Sequence, residues 1–571
     1  MDRITSSLLK TFSEDFEIAH LSADKQFEHF TNYCVVSKHY RGSFEVDTIH
    51  SGGGNDCGID GLCLIVNGRQ VTDEDELEDI VETSGHLDAD IIFIQSKTSS
   101  SFNGSDIGTF IHGIKDFISE TPQLEQNSTI KRFKLIWEKL ISMSSHMVNR
   151  LPNCQILYAC TGKWVGDRNL TAIIKSGVEE IEQSGLFDSI VFTPLGAQEV
   201  QRLYRETQNK LSSTIKFESK ITLPDINGIS ESYLGILPFT EYLKLIQDEN
   251  RTIYNIFDDN IRDFQGPNAV NNKIQETLEN KEYDLFCVLN NGVTVVAGSI
   301  TPAANRFTIR DYQVVNGCQT SNVLHACQDF QEIDNVSIPI RIIVTDNDEV
   351  KTKITLATNS QTEVKTEQLE ALNAFQKKLE LHYMAEHSSR VKLYYERRSQ
   401  QYNSIAGIKK TQIISIPIQI KCFASMFLES PHLVSAYYGT IVKRFAGKIF
   451  ASDHLCVPYY VSALCYFRLE QFFRSGDIDS SLKKARFLIM LLVRLLSMGK
   501  DIAPFNSKRL EKDCDELKDI LTDEDKALEL IASAVGLLLD SGINLDKNRY
   551  KTESDTETVL KAYTDHMKSV N

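Results

Sequence analysis

Four short apolar runs in the first two hundred residues constrain this chain more than any other feature. Residues 62–66 (LCLIV), 91–95 (IIFIQ), 156–159 (ILYA) and 190–192 (IVF) are each too short to be a helix. Helical stretches separate them, and that alternation predicts an α/β arrangement. Ahead of them, Ala23, Phe27, Phe30 and Cys34 recur at helical spacing, which predicts a helix over 23–37. Between the first two strands lies TDEDELEDIVETSGHLDAD, with nine acidic residues and no basic one. It reads as a solvated acidic helix and loop, with a guard over a cationic groove as the alternative.

The chain has 571 residues, enough for three or four domains at roughly 150 residues each. Hydrophobic residues make up 42% and charged residues 24%, which excludes wholesale disorder, a fibrous repeat and a disulfide mini-scaffold. The net charge of -17 excludes a blanket basic surface for nucleic acid but leaves room for a local basic cleft. None of the twelve cysteines forms a CxxC pair. The closest spacings, Cys57 with Cys63 and Cys154 with Cys160, lack the company a zinc site needs. A reduced, cytoplasmic setting is expected. The first twenty residues lack an apolar core and a cleavage site, so no secretory signal is expected. The most apolar run, 487–493, is far short of the ~20 residues needed to span a bilayer, so no membrane association is expected.

Three regions are expected: 1–210, α/β; 211–400, rich in strands and Asn-Gly turns; and 401–571, mostly helical. In the middle region, FCVLNNGVTVVAGS puts Asn291-Gly292 between two β-rich runs, a hairpin signal. Tyr312 to Val315 reads as a strand, Asn316-Gly317 as a turn, and Thr320 or Ser321 as the cap of the helix that follows. In the third region, SLKKARFLIMLLVRLLSM and ALELIASAVGLLLDSG read as packed core helices. That region offers no catalytic constellation and is expected to be scaffold or oligomer surface.

Two constellations carry chemistry. In SGGGNDCGIDGLCLIV, Asp60 sits in a Gly-rich turn feeding a strand, and 35 residues later a second strand ends in Gln95 and Lys97. Residues i and i+2 of a strand share a face, so Gln95 and Lys97 project together, and Asp60 joins them if the strands are neighbours. Phosphodiester hydrolysis needs a hard cation with oxygen ligands, a carboxylate and a carbonyl among them. Asp60, Gln95 and the helix carboxylate Glu28 are the candidate ligands for Mg²⁺, with Mn²⁺ as the alternative. Lys97 is the candidate to orient or deprotonate the attacking water. Asp56 is an alternative to Glu28. Taken alone, the same residues also describe a Gly-rich hairpin with a surface Gln and Lys. The second constellation is VVNGCQTSNVLHAC, where Asn316, Gly317, Gln319 and Thr320 stand before a helix start, a place suited to a phosphate; the plainer reading is an ordinary strand-turn-helix joint. A third stretch, SRVKLYYERRSQQYNS, interleaves Arg390, Lys392, Arg397 and Arg398 with Tyr394, Tyr395 and Tyr402, a candidate nucleic-acid strip or else an edge whose arginines pair with nearby acids. GTIVKRFAGK is a second, weaker basic patch.

GIDG followed by a strand ending in QSK resembles the PD-(D/E)XK nucleases, in particular the Mrr-like branch, where Gln replaces the second acid and an N-terminal helix Glu compensates. By that resemblance Asp60 matches the first acid, Gln95 the variant second position, Lys97 the lysine and Glu28 the helix acid. The series FDDNIRDFQGPNAVNNKIQETL, NNGVTVVAG, RDYQVVNGCQTSNVL, IPIRIIVTDNDEVKTKITLATNSQTEVKTEQLEA and LYYERRSQQY, in that order, resembles the AIPR (abortive infection phage resistance) family. VVNGCQT and ATNSQTEV are also similar, more weakly, to ParB/sulfiredoxin-like domains. These resemblances imply a multidomain α/β and α+β chain: a restriction-endonuclease-like α/β domain, a central mixed domain with ParB/sulfiredoxin-like character, and a C-terminal helical domain. They imply a Mg²⁺-dependent DNA endonuclease of anti-phage defence, acting on phage or host DNA, with a homodimer expected. The alternative is a non-catalytic DNA- or nucleotide-binding regulator whose front domain is degenerate.

Overall fold

A computed structural model describes the chain outside residues 41, 43, 209–210, 248–250, 252, 255, 257–268, 360–365, 389, 398–400, 403–404, 406, 435–440, 442–443, 446, 546–549, 551 and 571. The fold is mixed α/β, with three sheets among the described residues and helices throughout.

The front region opens with α1 (Arg3–Asp15), α2 (Ala23–His39) and the single turn α3 (Val46–Ile49). The strands follow as β1 (Gly61–Val66), β2 (Arg69–Val71), β3 (Ala89–Lys97), β4 (Asn153–Cys160) and β5 (Ser189–Leu195). Between and after them come α4 (Asp75–Ser84), α5 (Gly104–Ile118), α6 (Ser128–Ser142), α7 (Arg168–Glu182) and α8 (Ala197–Gln208). The four predicted strands are present, in the order β2-β1-β3-β4-β5. β1 runs antiparallel to β2 and β3, while β3, β4 and β5 are parallel. Successive residues serve opposite layers, as a pleat requires. Leu62, Leu64, Ile91 and Phe93 meet Phe110 of α5 and Ile136 of α6, whereas Cys63, Ile65, Ile92 and Ile94 meet α1, α2 and α8. β2 is a three-residue edge too brief to register as a periodic pattern. The acidic run folds as α4, with Leu77 and Ile80 turned inward and buried Asp73 accepting from the Asp75 N–H at its start.

The middle region is a six-stranded sheet in the order β6-β10-β9-β11-β8-β7. Its strands are β6 (Ser212–Lys216), β7 (Ser219–Thr222), β8 (Glu231–Pro238), β9 (Val293–Ala303), β10 (Arg306–Asn316) and β11 (Ser337–Val344). The helices here are α9 (Phe239–Ile246), α10 (Ala269–Glu279), α11 (Tyr283–Leu289), α12 (Cys318–Ala326) and α13 (Asp348–Asn359). The expected hairpin at Asn291-Gly292 is not there. FCVL lies in α11, and Asn291-Gly292 joins that helix to β9. The hairpin is instead β9–β10, where Ala303 pairs with Arg306. A four-residue apolar run fits one buried helix turn as well as a strand, and Phe286 alone of the four is buried.

Among the described residues the third region is helical apart from a short parallel pair, β12 (Tyr394–Glu396) and β13 (Ile413–Ser415). Its core joins α14 (Thr366–Ala385) and α15 (Ile416–Phe427) to the helices Val457–Ser475, Arg486–Met498, Lys508–Thr522 and Glu524–Asp540. Both apolar stretches are packed helices, as expected. Phe375, Leu379, Tyr383 and Tyr395, which the sequence grouped with the middle region, are buried in this third core. The helical body also grips the front region through charge. Arg486 reaches Glu45 at 3.0 Å and Glu470 at 2.8 Å, Lys483 pairs with Asp47, and Glu17 accepts from Lys409 at 2.8 Å and Arg474 at 3.0 Å. Among the described residues there is no disulfide, and no helix is long and apolar enough to cross a membrane.

Candidate active site

The front site is built by one turn and one sheet register. Asp56 closes the turn, accepting from Gly53 N–H at 3.0 Å and Gly58 N–H at 2.8 Å. That work makes Asp56 a turn residue, and its charge and that of Glu28 are both felt at the Asp60 carboxyl. Ser51 braces the far side, donating its N–H to the Asp60 carbonyl at 3.0 Å and its hydroxyl to the Ile59 carbonyl at 2.7 Å. Gly61 pairs with Ile94 across β1 and β3, and the Asp60 N–H donates to the Ile94 carbonyl at 2.9 Å. Continuing that register by one step sets Asp60 opposite Gln95.

The two side chains meet. Gln95 Nε2 donates to Asp60 Oδ2 at 2.6 Å, and the Ser96 N–H donates to the same oxygen at 2.8 Å. Asp60 is 4% exposed and Gln95 2%. With Nε2 turned to the carboxylate, Gln95 Oε1 is left buried with no hydrogen-bond partner among the described residues. A buried carbonyl oxygen in that state costs about 1–3 kcal/mol unless something electropositive meets it. Lys97 follows at the strand end, half-exposed, with its charge felt at the Asp60 carboxyl. Lys97 shares its strand face with Gln95, whose side chain meets Asp60.

Glu28 arrives from α2, on the other layer of the sheet. It is 7% exposed, and its Oε2 accepts from Lys25 Nζ at 2.7 Å and His50 Nε2 at 2.8 Å. Gly52 makes room for it: a Cβ there would stand 2.3 Å from Glu28 Oε2. One helical turn on, Asn32 donates its Nδ2 to the Asp60 carbonyl at 3.0 Å, tying α2 to the turn. The two acids are held in different states. Burial, and next the charge of Glu28, push the Asp60 carboxyl up to about 7. Burial also pushes Glu28 up, but the hydrogen bonds from His50 and Lys25 outweigh it and hold the carboxyl below its usual range. His50 stacks on His29 with ring centroids 4.1 Å apart, and burial drives His29 down to about 4. Two carboxylates and an unmatched carbonyl oxygen are hard oxygen donors of the kind Mg²⁺ accepts. The sequence reading missed Lys25, His50 and Asn32. Lys25 and Asn32 were accessible as i−3 and i+4 neighbours of Glu28 on one helix face; His50 carries no such signal.

In the second constellation Asn316 and its neighbour Ser321 bond to the chain itself. Gly317 has φ +104°, and a Cβ there would stand 2.7 Å from Val293 Cγ2, so glycine is required. α12 begins directly after it, and neither Thr320 nor Ser321 caps it. Ser321 instead donates its hydroxyl back to the Gly317 carbonyl at 2.7 Å and meets Tyr242 Oη at 2.6 Å. Asn316 Nδ2 donates to the Thr358 carbonyl at 2.6 Å. Thr320 is buried and Gln319 half-buried within the first turn. Part of ATNSQTEV lies outside the described residues.

The basic strip is largely core. Tyr395 is fully buried, Tyr402 donates its hydroxyl to the Tyr395 carbonyl at 3.2 Å, and Arg397 Nε donates to Glu380 at 2.6 Å. The arginine pairs with an acid and these tyrosine faces are closed to bases. Arg390 and Lys392 are exposed, while Arg398 and much of GTIVKRFAGK lie outside the described residues.

No curated protein and no solved structure matches this chain. The family model described as AIPR protein matches residues 257–519, from ahead of β9 through the helices Val457–Ser475 and Arg486–Met498 into Lys508–Thr522. The carboxylates of the front site lie outside the matched span, and the chain's similarity to AIPR proteins belongs to its middle and helical regions.

Proposed function

We propose that the front region is a divalent-metal-dependent nuclease and that it serves, with the AIPR part, in abortive-infection defence against phage. The observation that carries the reading is the buried Gln95 Oε1, unpartnered beside an Asp60 carboxyl pushed up to about 7. A divalent cation would meet both the carboxylate and that carbonyl oxygen. Asp60, Gln95 Oε1 and Glu28 would hold Mg²⁺ or Mn²⁺, which when bound neutralises phosphate charge and acidifies water. Lys97 is free to set its ammonium against the scissile phosphate or to accept the proton of the attacking water. His50 and Lys25 fix the Glu28 rotamer, and the Ser96 N–H and Gln95 Nε2 fix that of Asp60. DNA, of phage or host, is the proposed substrate, and a homodimer would bring two such centres to the two strands. Similarity to AIPR proteins over 257–519 supports the defence role.

A second reading, a DNA- or nucleotide-binding regulator with a front domain that no longer cuts, is favoured by the amide at Gln95 where an acid would bind a cation more strongly. One experiment separates the two. Purified protein is incubated with plasmid and Mg²⁺, with and without EDTA. Metal-dependent fragmentation is the expected result; retardation of the plasmid without cutting would replace the nuclease by the regulator.

A further inference from the structure

Between the front region and the helical body lies a cavity of about 480 Å³. Pockets for small ligands run about 300–1,000 Å³. Aromatic rings supply much of its wall: Phe12, Phe16, Tyr33 and Phe44 from the front, Phe467 and Phe473 from the helix Val457–Ser475. Hydroxyls of Ser37, Thr411, Ser415 and Ser480 and the imidazoles of His29 and His50 are set among them.

Most of the charged groups at the cavity are held in ion pairs. Asp47 and Glu470 share Lys483, Glu45 and Glu470 share Arg486, and Arg474 reaches Glu17. Burial holds the Lys410 ammonium below its ordinary value, against the pull of Glu396 and Asp15. An anionic ligand would have to take a cation from a buried carboxylate, and a cationic ligand the reverse. Either exchange strands a charge in a poorly hydrated place. What the cavity offers without cost is ring surface and hydrogen bonds. We infer that it binds an uncharged heteroaromatic small molecule of nucleoside size. The site stands on its own geometry, whatever the front centre does. It also lies behind that centre, because His50, which holds Glu28, forms part of its wall.

Thermal melting of the full chain tests this, since a ligand that binds only the folded state raises the midpoint. The probes are adenosine, guanosine, cytidine, thymidine and indole at millimolar concentration, each nucleoside paired with its 5′-monophosphate. At least one uncharged probe is expected to raise the midpoint by several degrees, with any matching monophosphate giving less. Ser480→Trp, at an exposed position on the rim, should abolish the shift while leaving the unliganded melt unchanged; Ile418→Trp, from α15, should do so by filling the space. Three outcomes overturn the inference: no uncharged probe moves the midpoint, a monophosphate outdoes its nucleoside, or Ser480→Trp responds like the parent.

Discussion

The turn before β1 and the turn before α12 look alike in the sequence, yet they are opposites in the fold. Each is a turn that contains glycine and carries polar side chains beside a secondary-structure element. At Asn316-Gly317 the polar atoms close on the chain: Asn316 on the Thr358 carbonyl, Ser321 on the Gly317 carbonyl. At Asp60 they close only halfway, and the remainder is a buried carbonyl oxygen with no hydrogen-bond partner among the described residues. Polar residue types at a turn do not distinguish a site from a joint; the difference lies in whether their hydrogen bonds are used up at home. The largest test of that contrast is catalytic. Asp60→Ala and Lys97→Ala should each lower Mg²⁺-dependent plasmid cleavage by about 100-fold or more, the scale seen when a charge-stabilising group is lost. Asn316→Ala should leave cleavage within a few-fold of the parent. Equal losses in all three would erase the distinction.

The next effect is on stability and has a definite sign. An aspartate ionises near 3.8 in the unfolded chain, whereas Asp60 holds its proton up to about 7 in the folded one. Between those values the folded state binds more protons, so stability falls as pH rises through the window. At about 1.4 kcal/mol per pH unit the whole loss is at most about 4 kcal/mol, complete above pH 7. Asp60→Asn does not titrate, and its amide can donate to Gln95 Oε1 while accepting the Ser96 N–H. In EDTA, urea melts should therefore show the variant gaining on the parent between pH 4 and pH 8. Mg²⁺ should restore the parent alone. A pH-independent difference would mean that the carboxyl is ionised throughout and that burial does not govern it.

Most of the frame that brings these groups together was legible. The four apolar runs became β1, β3, β4 and β5, and the helical spacing of Phe27, Phe30 and Cys34 became α2. Gln95 and Lys97 sharing a face follows from the pleat alone. Three things were not legible, each for a physical reason. The antiparallel register that sets Asp60 against Gln95 depends on which strands are neighbours, and no local pattern carries that. His50 reaches Glu28 through a bridge between distant backbone segments, so no spacing announces it. The tyrosines of the basic strip looked like a base-stacking surface because burial is a tertiary property: Tyr395 belongs to the third core. The Asn-Gly signal at 291-292 misled for a related reason, since a run as short as FCVL has the same composition whether it curls or extends.

The joint itself should prove costly to alter and chemically silent. Gly317→Ala must hold a Cβ at φ +104° against Val293, a strain of about 1–3 kcal/mol. Urea melts should show that loss, while cleavage per folded molecule stays at the parent level. A drop in cleavage beyond the folded fraction would make the second turn part of the working site.

The smallest effect is expected at the remnant of the basic strip, where only Arg390 and Lys392 stand exposed among the described residues of the four basic candidates. If these two touch DNA, they do so as point charges on phosphates and not as partners of stacked bases, because Tyr395 is closed off behind them. Each phosphate contact removed should reduce the slope of log affinity against log salt by about 0.9. Lys392→Gln should then weaken plasmid binding modestly at low salt and hardly at all at high salt, with folding stability changed by less than about 0.5 kcal/mol. Arg397→Gln should behave in the opposite way, because it takes the partner from Glu380, itself buried at 7% exposure: stability falls and the salt slope holds. A salt slope that changes with Arg397 and not with Lys392 would put the DNA path on the far side of β12, against the exposure seen here.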